Sequence, residues 1–229
     1  MLDLSGLTTI TGKKFLIIGL ENGKTSMGAR AYTFIEDHLD EIKGTVIEVG
    51  SERNEGSTTF LYRVCRTNGI KFYTVDFNEE QYLNAKKITN GNAYNMTGEH
   101  FFEHIFPSYN EKIAFAYLDN FDLFTHDGRN WDRRKSLYKK HGLQMSSHNN
   151  DSKQAHLRQA MYVEKFAADT CFVLLDDTWI DKKSNVIMGK GAYAVGFLLE
   201  CGFDLLNTMT KDDEVGGLQK GYAFLERRK

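Results

Sequence analysis

The sequence predicts an α/β fold with a mostly parallel sheet, helices on both of its faces and an antiparallel hairpin at the C-terminal end. Three observations predict it. Apolar runs of strand length alternate with helical segments between residues 45 and 206. The runs are continuously apolar, as strands covered on both faces require. A last pair of apolar stretches, 203–206 and 222–225, flanks a loop rich in Asp and Gly, the spacing of a hairpin.

In chain order, residues 14–18 (KFLII) form a short apolar run, and 31–39 carry apolar residues at helical spacing ending near Gly44. Residues 45–49 (TVIEV) read as a buried strand. Ser57 is placed to cap a helix over 58–68 whose Phe60, Leu61, Val64 and Cys65 share a face, with Gly69 as its stop. A strand at 70–75 follows, then a helix capped by Asn78 and running to Lys87. Residues 93–96 are a brief strand, 99–106 a helix closed by Pro107, and 112–118 (KIAFAYL) a strong strand. After a polar stretch at 120–151, the apolar stripe of Ala155, Leu157, Ala160, Met161, Val163 and Ala167 marks a helix. Residues 170–175 (TCFVLL) then read as a strand, and 191–201 as a helix stopped at Gly202.

Composition narrows the function. At 229 residues the chain has the length of one domain, with 1–44 as an N-terminal extension and 120–151 as an inserted, lid-like segment. It is 41% apolar and 13% aromatic, enough for a buried core. No run is long and apolar enough to span a membrane, and the start lacks the pattern of a secretory signal. Cys65, Cys171 and Cys201 are odd in number and widely spaced in apolar runs, so they are expected to be buried free thiols of a cytoplasmic protein. The net charge of −2 argues against a general nucleic-acid binder. Oligomeric state is left open.

The chemistry is expected at the carboxyl ends of the strands, where doubly wound sheets bind ligands. After 45–49 comes GSERNEGS, in which Gly50 and Gly56 permit close backbone approach and the helix after Ser57 presents N–H groups. The next strand ends at Asp76, whose carboxylate suits the two donors of a ribose diol. Taken together, strand, glycine loop, helix, strand and acid point to a nucleotide-type cofactor. Gly98 and Glu99 follow the third strand, where an adenine edge could rest. Asp119 and Asp122 follow the fourth, Asp176 and Asp177 the fifth. Clustered carboxylates repel one another, and a divalent cation with oxygen ligands, such as magnesium, would relieve this. The plainer alternative makes Asp176 or Asp177 a helix cap and Asp119 a simple strand-end acid.

The segments VIEVGSERNEGST, FYTVDFNEE, AFAYLDNFD and FVLLDDTW resemble the class I S-adenosylmethionine-dependent methyltransferases, and most of all the metal-dependent, macrocin-type sugar and small-molecule O-methyltransferases. The resemblance runs from about residue 45 to 203. It implies a Rossmann-like seven-stranded sheet and a cofactor cradle at Glu48, Gly50, Ser51, Gly56 and Ser57. Asp76 would take the ribose, Gly98 and Glu99 the adenine side, and Asp119 the fourth-strand edge of the cradle. Magnesium would be held by Asp119, Asp176 and Asp177. The implied reaction is O-methylation of a small hydroxylated acceptor, such as a sugar or glycan, with the metal lowering the pKa of the hydroxyl. The family's acid-x-acid element is one residue longer here (Asp119-Asn120-Phe121-Asp122), and 125–151 has no counterpart. Asp122 and His148 are the candidate bases, with His126 an equal alternative to His148.

The insertion also holds Trp131, His141 and the basic run Arg129, Arg133, Arg134, Lys135, Lys139 and Lys140. It reads either as a lid binding an anionic part of the acceptor or as a solvated amphipathic helix. Lys190, between Gly189 and Gly191, reads most simply as part of a helix start, and Trp179 as either pocket lining or core. Three other readings compete: a metal-independent methyltransferase acting on a small molecule or RNA, a non-catalytic cofactor-binding module, and a dinucleotide oxidoreductase. The last is disfavoured because no GxGxxG follows the first strand.

Overall fold

A computed structural model of the chain describes residues 28–51, 56–119, 131–140, 142–145, 149–181, 184–211 and 221–229. The apolar run at 14–18, the bases Asp122, His126 and His148, and His141 and Arg129 lie outside these residues. A 3₁₀-helical segment, Gly28–Glu41, leads into β1 (Thr45–Val49), α1 (Ser57–Thr67), β2 (Phe72–Asp76), α2 (Glu79–Ile88) and β3 (Ala93–Asn95). Next come α3 (Gly98–His100), β4 (Ile113–Leu118), α4 (Trp131–Lys140), α5 (Asn150–Phe166) and β5 (Ala167–Asp176). A hairpin of β6 (Thr178–Asp181) and β7 (Val186–Gly189), then α6 (Ala192–Glu200), β8 (Asp204–Lys211) and β9 (Tyr222–Arg228), complete the chain.

The strands form one sheet in the order β3-β2-β1-β4-β5-β9-β8-β6-β7. β3 to β5 are parallel, while β9 runs antiparallel to both β5 and β8. The expected seven strands and terminal hairpin are present. Two more, β6 and β7, extend the β8 edge, with β6 parallel to β8 and β7 antiparallel to β6.

The continuous apolar runs are explained by two cores, one on each face. Along β4, Ala116 and Leu118 join one core while Phe115 and Tyr117 join the other; along β5, Val173 and Leu175 oppose Phe172 and Leu174. With a side-chain period of two, only a run apolar at every position can serve both faces. The first core is closed by α5, α6 and Phe101, Phe102 and Phe106; the second by α1 and by Tyr32 and Ile35 of the N-terminal helical segment.

Local differences from the sequence reading have physical causes. Ser57 is the first residue of α1 rather than its cap: Gly56 holds the cap position at φ 92°, a left-handed conformation that glycine adopts freely. Pro107 does not end a helix, since α3 passes into a wide turn over Phe101–Ile105 and a 3₁₀ turn, Phe106–Tyr109, that accepts proline near its start. Asn78 does cap α2, accepting from the Glu80 N–H. Cys65 and Cys171 are buried free thiols, but Cys201 is only half-buried. Among the described residues, no helix is long and apolar enough to cross a membrane.

Candidate functional site

The chain winds from β1 outward to β3, then returns to β4 on the other side of β1. The crevice at the carboxyl ends of β1 and β4 is therefore the switch point of the sheet, where backbone amides and side chains of both halves converge. Gly50, Asp76, Asp119 and Asp176 all stand at this edge.

On the β1–β2 side the loop is tied to its neighbour strand. Gly50 N–H donates to Val75 O (2.8 Å), Ser51 N–H to Asp76 Oδ2 (3.0 Å), and the Ser51 and Thr74 hydroxyls pair at 2.8 Å. Asp76 also accepts the Asn78 N–H at Oδ1 (2.7 Å). Gly50 sits at φ 96°. Ser57 and Thr58 open α1 with no side-chain cap, and both are buried.

Glu48 lies beneath this loop and is fully buried. Its Oε2 accepts from the Thr58 and Thr74 hydroxyls, both at 2.6 Å, while no group among the described residues bonds Oε1. Burial raises its pKa to about 7, against the hydroxyl hydrogen bonds that lower it, with the Asp119 charge adding to the rise. A folded pKa above the unfolded value means that this group's stabilisation is present below about pH 4.5 and lost as pH rises towards 7. Urea denaturation of wild type and Glu48→Gln should show wild type losing up to about 3 kcal/mol relative to the variant between pH 4.5 and 7.5. A constant difference across that window would place Glu48 in a solvated setting.

Gly98 is required by packing, since a Cβ there would stand 2.5 Å from Val49 Cγ1 and 3.0 Å from Gln159 Nε2. Glu99 is engaged with α5, accepting from Arg158 Nη2 (3.1 Å) and Gln159 Nε2 (3.2 Å). α4 docks beside Asp76 through Tyr138, which is fully buried against Phe77 with ring centroids 5.1 Å apart. The insertion thus carries an amphipathic helix, seated through Tyr138 and with Lys139 and Lys140 exposed.

On the β4–β5 side, carboxylate oxygens of Asp119, Asp176 and Asp177 lie within 4.8 Å of one another, as the sequence predicts. A cation already stands among them. Lys190, 2% exposed, places Nζ 2.8 Å from Asp119 Oδ1, 3.1 Å from Asp177 Oδ2 and 4.0 Å from Asp176 Oδ2. Burial alone would discharge this ammonium, but the three acids reverse the effect and hold it protonated. Burial and the Asp119 and Asp177 charges push the Asp176 carboxyl well above the usual range, with Lys190 opposing them. Tyr117 OH donates to Asp119 Oδ2 at 3.2 Å.

Lys190 stands between the end of the β6–β7 hairpin at Gly189 and Gly191, the N-cap of α6, so the helix start read from its flanking glycines is present, and the hairpin fixes where it begins. Thr178 pairs with Gly189, so the chain leaves Asp177 and returns beside it. The Lys190 N–H donates to Asp177 O (2.9 Å) and the Gly191 N–H to Thr178 Oγ1 (3.0 Å). A Cβ on Gly189 would fall 1.9 Å from Asp177 O, and one on Gly191 2.3 Å from Thr178 Oγ1. Glycine on both sides of the lysine is thus a steric demand of the hairpin closure. Trp179 packs across it, 2.9 Å from the Cβ positions of both Gly189 and Gly221. Asp177 itself holds φ 47°, a left-handed conformation uncommon for a residue other than glycine but one that Asn and Asp adopt more readily than most.

Magnesium prefers oxygen ligands in octahedral array and keeps waters of its own. Here the space between the carboxylates is taken by an ammonium with donors aimed at them, so the donor set as folded does not fit a divalent ion.

Sequence reasoning missed His156 and Gln159 on the buried face of α5. His156 Nδ1–H donates to Ser152 O (2.8 Å), and Nε2 has no partner among the described residues. Burial lowers its pKa to about 4, helped by the Lys190 charge, so the ring is neutral near pH 7. The available signal was polar residues at helical spacing (Ser152, His156, Gln159) in an otherwise apolar stripe.

No protein-family model and no curated protein matches the sequence. Solved structures do match its fold. SMU.1697c from Streptococcus mutans, provisionally named a methyltransferase and solved in complex with SAH, is 11% identical with a TM-score of 0.50, over 86% of this chain and 97% of its own. A Klebsiella pneumoniae protein provisionally named an O-methyltransferase is 8% identical with a TM-score of 0.50, over 90% and 84%. TrmN from Thermus thermophilus matches at 11% identity and a TM-score of 0.46 over 87% of this chain, which spans half the length of TrmN. The two likenesses at a TM-score of 0.50 speak to the fold: a Rossmann-like methyltransferase fold, as the sequence predicts, with two strands added at the edge.

Proposed function

We propose that this protein is an S-adenosylmethionine-dependent methyltransferase that methylates a hydroxyl of a small acceptor, such as a sugar or glycan. The observation that carries the reading is the switch-point cradle, in which left-handed Gly50 and Gly56 flank the β1 loop and Asp76 anchors Ser51 beside it. The SAH complex of the Streptococcus mutans neighbour supports the same cofactor class.

When bound, the cofactor supplies an activated methyl on a sulfonium. The work left to the chain is positioning, proton removal and exclusion of water. Asp76, held in place by the Ser51 and Asn78 N–H groups, accepts from the ribose hydroxyls. Asp119 and Asp177 form the open rim of the acid cluster, their side chains 21% and 18% exposed, while Lys190 and Asp176 lie below at 3% and 5%. A hydroxyl donating to either rim carboxylate is oriented and loses its proton there as the methyl moves in line to oxygen. Magnesium assistance, which the family resemblance suggests, has no place in this scheme because Lys190 holds the centre of the cluster.

Isothermal titration of S-adenosylhomocysteine into the protein in chelator is the test. Binding in the micromolar range is expected. Absence of binding, with and without magnesium, would return the glycine loop to a purely structural turn.

A further inference from the structure

We propose that Lys190 is a resident cation standing in place of a divalent metal among Asp119, Asp176 and Asp177, so that the centre is metal-free by construction and its acceptor need not offer two vicinal hydroxyls. The consequence for the acceptor rests on the methyltransferase reading; the occupancy of the cluster does not.

The argument begins with charge. Three carboxylates within 4.8 Å of one another need a counter-charge, and two sources are open to a protein: a bound ion or a side chain. The side chain is present and nearly sealed, with Nζ in hydrogen-bond contact with two of the acids and 4.0 Å from the third. A divalent ion bound by the same oxygens would face a positive ammonium a few ångströms away in a poorly hydrated site, a repulsion of several kcal/mol even at moderate effective dielectric.

The delivery of the lysine is equally specific. The backbones of Lys190 and Gly191 are each tied back to Asp177 and Thr178, and both flanking glycines are needed because any Cβ would strike those same residues. Thr178 Oγ1 in turn donates to Asp176 O at 2.9 Å. A long flexible lysine on a surface loop could swing aside for a metal. This one is 2% exposed at a turn whose backbone is fixed at both neighbours.

The chemical consequence follows from geometry of binding. A metal holds an acceptor by chelation, which selects adjacent hydroxyls. With the cation spent on the acids beneath, the outer surface of the cluster is two separate carboxylates, Asp119 and Asp177, rather than one chelating ion. A monohydroxylated acceptor, or one with isolated hydroxyls, fits that surface as well as a diol.

Titration of Mn²⁺ into wild type, Lys190→Ala, Asp177→Asn and Lys190→Ala/Asp177→Asn, read by calorimetry, tests the proposal. Wild type and Asp177→Asn should show the same weak, millimolar uptake, a comparison that needs no lysine variant to fold. Lys190→Ala should gain a site at least tenfold tighter, which the added Asp177→Asn removes, and its melting temperature should rise with Mn²⁺ where that of wild type does not. A wild-type Mn²⁺ site tighter than millimolar that Asp177→Asn abolishes would overturn the proposal, as would a Lys190→Ala protein that gains no affinity. S-adenosylhomocysteine titrated into the same wild-type sample in chelator reads the methyltransferase hypothesis separately.

Discussion

Lys190→Met is expected to lower the stability of the protein by about 3–5 kcal/mol at neutral pH, the usual result of removing one partner from a buried charge cluster. Methionine fills much of the lysine stem's volume, so lost packing is a minor part of the effect. What remains is Asp119, Asp176 and Asp177 without a counter-charge, two of them in contact with the missing ammonium. The variant has two ways to respond, by taking up a proton or by opening the hairpin to admit water, and each costs free energy. Asp119→Asn in the Lys190→Met background should recover a large part of the loss, because it removes one of the repelling charges. In a wild-type background the same Asp119→Asn change should destabilise, since it breaks the 2.8 Å contact. That change of sign between backgrounds distinguishes a charge cluster from a packing defect. Urea denaturation of the four proteins measures it, and a Lys190→Met loss below about 1 kcal/mol would place the ammonium in a solvated site.

This lysine also marks where the sequence stops being informative. The strands were legible because both faces of the sheet are buried and each buried run had to be apolar throughout, as β4 and residues 171–175 of β5 are. The acids were legible because each follows such a run directly. Lys190 stands 71 residues from Asp119, and what joins them is the β6–β7 hairpin. That hairpin hides in the sequence: each strand is four residues long, and Val186 and Met188 are exposed on an edge where apolar pattern carries little signal. The glycine pair around Lys190 suggested the helix start that Gly191 does cap, but not that Asp177 and Thr178 press on both glycines. His156 was hidden for a different reason. A buried histidine at helical spacing is indistinguishable in sequence from a surface one until the helix face is known.

Asp76→Ala should weaken S-adenosylhomocysteine binding by at least a hundredfold, about 3 kcal/mol, because it removes the carboxylate at the end of β2 that the proposed cradle offers to a ribose. The carboxylate has a second task that must be separated from the first. It holds the Ser51 and Asn78 N–H groups, so its loss leaves two donors unsatisfied and loosens both the β1 loop and the start of α2. A stability loss of about 1–3 kcal/mol is therefore expected alongside the binding defect. Asp76→Asn separates the two. Its carbonyl oxygen can still accept one backbone N–H, so most of the fold stability should return. Its NH₂ group, however, presents donors where a diol also donates, so cofactor affinity should stay low. Recovery of both properties in Asp76→Asn would mean that Asp76 serves only to shape the loop and that the ribose is read elsewhere. Loss of binding with restored stability would assign the diol to this carboxylate, with the loop geometry as its support.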